Sequence, residues 1–432
     1  MSLRRNALVL AALTALLGIL GAWSADPTLA GVWRLPLAVL LLGLAYEGWL
    51  VARAQVRLEI SSAHSAVLGR AGALQFRFSH RLRRPLPLEF RPGAPPAVEV
   101  DDVVRTVCAP ASSPGTLEVA AMPRRLGAHP WPDVRTRIAG ALGLAWWARA
   151  LRTEFTLHAT PDILRGEVRR LAALAGGVRL CAAVGAGLEV LQLRDYRPGD
   201  PLHVIDWKAS ARANRLVSRD FSEDQRLDII LAIDVGKASA VRAGELDRLG
   251  CFANVAARFA EYAVAQDDRV GMVFFADRPL AALAPGRGAN AVLRIRRLLE
   301  TVQASQAESN PLNAALRIRS LALHRTLVVI LTDLDDATAA GQLASAARLL
   351  APKHLPLIAG LSSRQIEALA QAPAHSWRDP YEALAAQEYC ARLQRNMQAL
   401  RTLGAAALVA YPDQLEQTVF NCYADLRRRR RV

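Results

Sequence analysis

Two apolar segments near the start of the chain constrain its fold more than any other feature. Residues 6–24 contain no charged side chain, and residues 35–52 contain only one, Glu47. Each segment is close to the roughly 20 residues that a helix needs to cross the hydrocarbon core of a bilayer. Because so few residues separate them, we predict a transmembrane hairpin over residues 1–54, with spans at about 6–24 and 35–52.

Arginines are concentrated at the outer ends of this hairpin, at Arg4, Arg5, Arg53 and Arg57. The intervening loop has only Asp26 and Arg34 as charged residues. Positive charge next to a span favours the cytoplasmic side, so both termini and everything after residue 53 are expected in the cytoplasm. Glu47 precedes Arg53 by one to two helical turns, where a carboxylate can reach water or an arginine, and we interpret it as structural.

The remaining chain divides by its hydrophobic pattern. Short alternating runs between turn residues predict a β-sandwich-like module over residues 55–160. A connector and a polar stretch occupy 161–226. Apolar strands then alternate with helical patterns over 227–432, which predicts a doubly wound α/β domain with a basic tail. Its ligand edge should lie at the carboxyl ends of the strands, where Asp234 and Asp333 fall.

The polar stretch, residues 187–221, is called the signature stretch below. It is dense in charged and aromatic side chains, which are costly to bury unless they are paired. It therefore lies at a polar junction between domains or on a surface that a partner binds, and both alternatives stay open. The candidate interaction residues are Glu189, Arg194, Tyr196, Arg197, Pro198, Gly199, Asp200, Asp206, Trp207, Lys208 and Arg212.

Three motifs within the signature stretch carry a family resemblance. They are G-x-E-x-x-x-x-R-x-Y-x-P-G-D, I-D-W-K-x-S-A-R and L-V-x-R-x-F, and they resemble the DUF58 family of bacterial proteins. The resemblance implies a von Willebrand factor A-like fold for the last domain and a location at the bacterial inner membrane with the main domains facing the cytoplasm. It also implies a MoxR-type AAA+ ATPase as partner in the maturation of envelope or other complexes. Arg194, Arg197, Asp200, Asp206 and Arg212 would fix the domain junction, with Trp207 packed within it.

The same resemblance points to a degenerate metal site. Many von Willebrand A domains hold Mg²⁺ or Mn²⁺ through D-x-S-x-S, a threonine and a second aspartate, since such hard ions take oxygen ligands. Here Asp234 and Asp333 are retained, Gly236 and Ala238 replace the two serines, and the remaining hydroxyl candidates are Ser239 and Ser309. We predict that the ammonium of Lys237 pairs with Asp234 or Asp333 in place of the ion, so that no cofactor is needed. Binding of Mg²⁺ or Mn²⁺ is the alternative.

An adaptor without enzymatic activity is the function that these features favour. One alternative is a metal-dependent hydrolase using Asp234 and Asp333. The other is a binder of nucleic acid or anionic surfaces, suggested by the net charge of +15, although the sequence has no zinc-finger spacing or other nucleic-acid motif. The sequence also lacks a phosphate loop and the H-E-x-x-H and G-x-S-x-G motifs. Membrane lipid is expected to contact the hairpin. The arginine run from Arg427 to Arg431 is either a second lipid contact or a solvated tail, and both alternatives stay open.

Overall fold

A computed structural model describes residues 2–23, 31–62, 66–111, 113–162, 184–222, 227–335 and 337–428. The chain forms two compact units. The first comprises Met1–Pro161 with Glu300–Val302, and the second comprises Asp162–Leu299 with Gln303–Val432. Each unit is described by itself.

The first unit opens with a short strand, β1 (Ser2–Leu3), and two apolar helices, α1 (Arg5–Trp23) and α2 (Arg34–Ala54). Both helices have the length and composition to cross a membrane, and most of their residues are not buried in the protein. The predicted spans therefore correspond to two real helices. However, α2 continues to Ala54, and Val51 and Ala54 near its end belong to the core of the β module.

The rest of the first unit is a β module. Its strands are β2 (Arg57–Ser62), β3 (Ala66–Val67), β4 (Gly72–Ser79), β5 (Leu86–Arg91), β6 (Val98–Val100), β7 (Arg105–Ala109), β8 (Gly115–Pro123), β9 (Gly127–Pro130), β10 (Val134–Ala139), β11 (Ala145–Leu151) and β12 (Thr156–Thr160). They form sheets of order β1-β11-β10-β5-β7, β2-β4-β8-β6 and β3-β12-β9. Alternate residues of the strands are buried, because successive side chains point to opposite faces of a sheet.

Aromatic side chains join the two larger sheets of the β module. The ring of Phe90, on β5, lies 5.5 Å from that of Phe76 and 4.7 Å from that of Phe78, both on β4. These strands belong to different sheets, so the inner faces of the two sheets form one core. Val51 and Ala54 of α2 belong to the same core.

The second unit begins with the signature stretch and continues as an α/β sheet. Strands β13 (Val184–Asp195) and β14 (Val217–Ser222) pair antiparallel, and α3 (Trp207–Ala213) lies between them in sequence. The following strands are β15 (Asp228–Asp234), β16 (Arg242–Ala243), β17 (Leu246–Asp247), β18 (Arg269–Phe275), β19 (Pro279–Gly286), β20 (Thr326–Leu331), β21 (Leu355–Leu361) and β22 (Ala406–Ala410). The helices are α4 (Arg248–Ala265), α5 (Gly288–Thr301), α6 (Pro311–Leu321), α7 (Ala337–Leu350), α8 (Arg364–Gln371), α9 (Asp379–Thr402) and α10 (Leu415–Arg428).

The central sheet of this unit has the order β19-β18-β15-β20-β21-β22. All neighbours are parallel except β19, which is antiparallel to β18. One face of the sheet, which includes Ile230, Val328 and Ile358, packs against α6, α7 and α9. Helices α4 and α10 also contact strands of the sheet, and aromatic side chains of these two helices pack against each other. The chain thus has the mixed α/β architecture that its pattern predicted, and the carboxyl ends of β15 and β20 lie side by side.

Candidate functional site

Asp200 holds the turn of the signature stretch together. Arg194 donates to both of its carboxylate oxygens, from Nη1 to Oδ2 at 2.7 Å and from Nη2 to Oδ1 at 2.9 Å. The backbone N–H of Arg197 and the hydroxyl of Ser218 donate to Oδ2 as well. The hydrogen bonds from Arg194, followed by that from Arg197, hold the pKa of Asp200 well below its usual range. A bidentate arginine fixes orientation as well as distance, so the turn has a defined shape.

Asp206 performs the same task for helix α3. Its Oδ1 accepts the backbone N–H of Ala209 at 3.0 Å, which caps the helix, and its Oδ2 accepts Nε of Arg219 at 3.0 Å. The backbone bond, then the Arg219 bond, lowers the pKa of Asp206. The hydroxyl of Ser210 links the helix to β14 by accepting the N–H of Val217 at 2.9 Å. Helix, turn and hairpin are therefore tied into one small polar frame.

Trp207 lies on the outside of this frame. We expected it to pack within a domain junction, but 64% of it is exposed to solvent. Its neighbour Asp206 binds Arg219, which is opposite Leu193 in the hairpin, and Leu193 is also exposed. Other exposed apolar and cationic side chains of the stretch are Leu202, Leu216, Arg197, Lys208 and Arg212.

The remaining signature residues either support the frame or have side chains that the structure does not describe. The hydroxyl of Tyr196 donates to the backbone oxygen of Asp200 at 3.4 Å. Pro198 and Gly199 form the tip of the turn, where Gly199 has a φ of +106°, a value that favours glycine. Glu189 lies on β13, and its side chain falls outside the part of the chain that the structure describes.

A second candidate site lies at the carboxyl edge of the central sheet. Asp234 ends β15 with only 3% of its surface exposed. Its Oδ2 accepts the hydroxyl of Thr332 at 2.6 Å, and its Oδ1 accepts the N–H of Gly236 at 2.8 Å. Burial raises the pKa of this carboxyl group, although both donors act in the opposite direction. The hydroxyl of Ser309 is buried and faces the same carboxylate.

Arg248 provides the positive charge at this edge. It is the first residue of α4, directly after Asp247, whose side chain caps the helix by accepting the N–H of Gly250 at 2.8 Å. Its guanidinium forms an ion pair with Asp333, and both side chains are largely buried. Asp333 also accepts the N–H of Asp335. The second carboxylate is therefore neutralised by an arginine that our sequence analysis did not identify.

Lys237, which we expected to replace the ion, occupies a different place. Its ammonium lies 3.9 Å from Oε1 of Glu308, and 65% of its side chain is exposed. The physical reason is local: Lys237 begins a short helical turn that leads away from the sheet, whereas α4 brings Arg248 back over the edge. Ser239, the other hydroxyl candidate, donates to the backbone oxygen of Gly236 at 2.6 Å.

The two carboxylates at this edge are engaged with other groups of the protein. Within the described ranges, no group of three or more His, Cys, Asp or Glu side chains is placed to hold an ion. Asp234 is nearly inaccessible, and Asp333 is paired with Arg248. The arrangement acts as an electrostatic clasp between the first strand, its loop and the start of α4.

Arg427, the first arginine of the basic tail, has partners within the second unit. Nη1 of Arg427 lies 3.4 Å from Oδ2 of the buried Asp268 and donates to the hydroxyl of Tyr423 at 3.1 Å. Arg427 is therefore engaged within the α/β unit rather than held out toward a lipid surface. Residues 429–431, the last three arginines of the run, lie outside the described residues.

Comparisons with solved structures give remote likenesses. A conserved hypothetical protein, BatB from Bacteroides thetaiotaomicron, is 14% identical, with 41% of this chain and 98% of that chain covered and a TM-score of 0.26. A native alpha-2-macroglobulin fragment from Escherichia coli is 13% identical, with 81% and 55% covered and a TM-score of 0.21. Similarity at this level does not inform fold or function. The comparison with curated proteins gave no match.

The comparison with family models agrees with the motifs of the signature stretch. Residues 192–384 match the model described as "Protein of unknown function DUF58". The match begins on β13, includes the Asp200 turn, α3, Asp234 and Asp333, and ends within α9. The resemblance drawn from the motifs is thereby confirmed for this region, and residues 192–384 of the chain form a DUF58 family domain.

Proposed function

We propose that this chain is a membrane-anchored adaptor that binds a protein partner through its signature stretch. The observation that carries the proposal is the exposure of Trp207 on a frame fixed by the Arg194–Asp200 and Asp206–Arg219 pairs. A large aromatic side chain loses favourable burial when it faces water, and such residues dominate binding energy when a partner covers them. A rigid frame lowers the entropy lost on binding.

The charges near Trp207 indicate the chemistry of the partner. Arg197, Lys208 and Arg212 are exposed on the same stretch, so a partner surface with carboxylates around an apolar pocket would be complementary. A MoxR-type AAA+ ATPase at the bacterial inner membrane is the partner that we propose, acting with this chain in maturation of envelope or other complexes. The helices α1 and α2 support the anchored part of the proposal because their length and composition suit a bilayer. The main domains would face the cytoplasm.

We propose further that the α/β unit is a von Willebrand A-like scaffold that works without Mg²⁺ or Mn²⁺. The ion pair between Arg248 and Asp333 supports this, because it places a permanent positive charge where a divalent ion would otherwise balance the carboxylates. No specific observation supports the hydrolase or nucleic-acid alternatives.

The test is affinity capture of the full-length protein from detergent-solubilised membranes of its host, with ATP and with or without EDTA, followed by mass spectrometry. We expect an AAA+ ATPase to be recovered and the recovery to survive EDTA. Trp207→Ala should lower the recovery by about 30-fold, the effect of losing a binding residue worth about 2 kcal/mol. Trp377→Ala is the matched control, since Trp377 is also largely exposed but lies outside the signature stretch.

Three results would contradict parts of the proposal. Equal recovery with Trp207→Ala and the wild type would exclude the signature stretch as the docking surface. Recovery of other proteins but no ATPase would refute the partner assignment. Loss of recovery in EDTA, with ATP hydrolysis shown to be unnecessary, would contradict a metal-independent scaffold.

A further inference from the structure

Helix α2 packs one face against the first unit along its second half, where Gly43, Glu47, Val51 and Ala54 are buried. Before Glu47, Val39, Leu41 and Leu42 are exposed apolar side chains. After it, Gly48 faces Trp147 so closely that an added Cβ would lie 2.8 Å from the indole ring, and Val51 and Ala54 are part of the module's core. One face of the final part of the helix therefore packs against protein, while Trp49 on another face is 55% exposed.

The segment that contacts Glu47 comprises the turn between β10 and β11 and the first residues of β11. Residues 140–147 (GALGLAWW) are called the apolar turn below. The carboxylate of Glu47 fills this turn. Its Oε1 accepts the N–H groups of Leu142 at 2.7 Å and Leu144 at 3.0 Å, and its Oε2 accepts that of Ala145 at 3.0 Å. A side chain at Gly140 would overlap this carboxylate, so only glycine leaves room for it.

The length of α2 relates the apolar turn to the end of a bilayer span. The 21 residues of α2 make a helix about 32 Å long at 1.5 Å per residue, close to the roughly 30 Å hydrocarbon core. Glu47 lies within about two turns of the end of α2, so a bilayer that matches this helix brings its interface close to the apolar turn.

The apolar turn has the composition of a membrane interface. Leu142, at its tip, is 53% exposed, and Trp146 and Trp147 follow. The guanidinium of Arg4 lies 4.8 Å from the centre of a Trp146 ring, just before α1 begins. Tryptophan and arginine at the ends of apolar helices are typical of the boundary between headgroups and acyl chains.

We propose that the apolar turn is a second membrane contact, seated at the lipid interface on the side of the β module. The proposal rests on the membrane anchoring proposed above. A turn exposes backbone N–H groups that have no hydrogen-bond partner in lipid, and this is normally prohibitive. Glu47 supplies the missing acceptors from the adjacent helix, which explains why a carboxylate lies in an otherwise apolar segment.

The test uses the full-length chain in vesicles of phosphatidylcholine and phosphatidylglycerol. The five native cysteines are replaced, and single cysteines are introduced at Leu142, Leu16 or Val103 and labelled with an environment-sensitive fluorophore. All three positions are exposed in the protein: Leu16 lies on α1, and Val103 lies elsewhere on the β module. Quenching is compared between lipids that carry a nitroxide near the top of the acyl chain and aqueous iodide.

We expect the labels at Leu142 and Leu16 to lose fluorescence with nitroxide lipid, by several times the loss at Val103, and to resist iodide. If the label at Leu16 is quenched by nitroxide lipid but that at Leu142 behaves like Val103, the turn is in water and the inference is overturned while anchoring stands. If the label at Leu16 also behaves like Val103, anchoring itself fails and the inference fails with it. Circular dichroism of each labelled variant checks that the fold is intact.

Discussion

Replacing Glu47 by glutamine tests the most unusual contact of the first unit. The change keeps the shape of the side chain and removes its charge. Only one oxygen remains, which can still accept from Leu142 and Leu144, while the new NH₂ group faces the N–H of Ala145. Two donors then point at each other in a site where the wild-type residue is fully buried.

The expected cost follows from counting these bonds. Leaving one buried N–H without an acceptor costs about 1–3 kcal/mol, and the two surviving bonds weaken because hydrogen bonds to charged groups are worth about 1 kcal/mol more than neutral ones. The sum is about 3–5 kcal/mol for local opening of the turn. At about 1.4 kcal/mol per factor of ten, that corresponds to amide exchange faster by at least about 100-fold.

Hydrogen exchange with fragmentation mass spectrometry on the detergent-solubilised full-length protein measures this effect at Leu142, Leu144 and Ala145. Glu59→Gln serves as the control, because Glu59 is exposed on β2 in the same unit and its change should leave these amides protected. Wild-type exchange at the three amides in Glu47→Gln would refute the reasoning, since it would mean that the carboxylate does not hold the turn.

Three further predictions concern the second unit. Arg248→Ala should lower the free energy of unfolding by about 3 kcal/mol, because it leaves Asp333 buried and unpaired. Arg242→Ala on the surface should change the free energy of unfolding by less than about 0.5 kcal/mol. Denaturant unfolding compares the two variants, and equal effects would contradict the clasp. Asp200→Asn should destabilise the signature stretch at neutral pH. Since the pKa of Asp200 is lowered in the folded protein, its contribution to stability is present above the unfolded value near 3.8 and disappears as the pH falls through the folded value. Amide exchange rates of the wild type and the variant should therefore converge in acid. A difference that stays constant with pH would contradict this reasoning. Titration with Mn²⁺ monitored by paramagnetic resonance should show no stoichiometric tight site at Asp234, and finding one would contradict the metal-free scaffold.

The hydrophobic pattern predicted the two apolar helices and the alternation of strands and helices in the second unit, but composition did not predict what surrounds these elements. The apolar run before Arg53 correctly indicated a helix, but Val51 near its end belongs to a protein core. Apolar side chains are favourable in both environments, so a hydropathy pattern cannot distinguish the two. The β-strand pairing of Ser2 with Trp146 could not be predicted either, because nothing in the local sequence of either residue specifies a partner so distant in the chain.

The Arg194–Asp200 pair of the signature stretch is the kind of contact that a sequence pattern can indicate, because it joins residues close in the chain. Arg194 and Asp200 lie only a few residues apart, and a turn between them brings their side chains together. The exposed position of Trp207, by contrast, was not predicted. An indole ring suits a core and a binding surface equally well, so its residue type does not reveal its exposure.

The clasp at the sheet edge shows what a sequence pattern could have indicated. Parallel strands end at the edge where the following helices begin, so the first residue of α4 was a candidate neighbour of Asp234 and Asp333 from topology alone. Lys237 is closer in sequence, but chain proximity matters less than the direction in which each element leaves the edge. Arg248 also differs chemically from an ion or a lysine, because its guanidinium stays charged and its planar donors hold a carboxylate in one orientation. The Arg248–Asp333 pair therefore supports the metal-free scaffold that we propose, and the Mn²⁺ titration tests it.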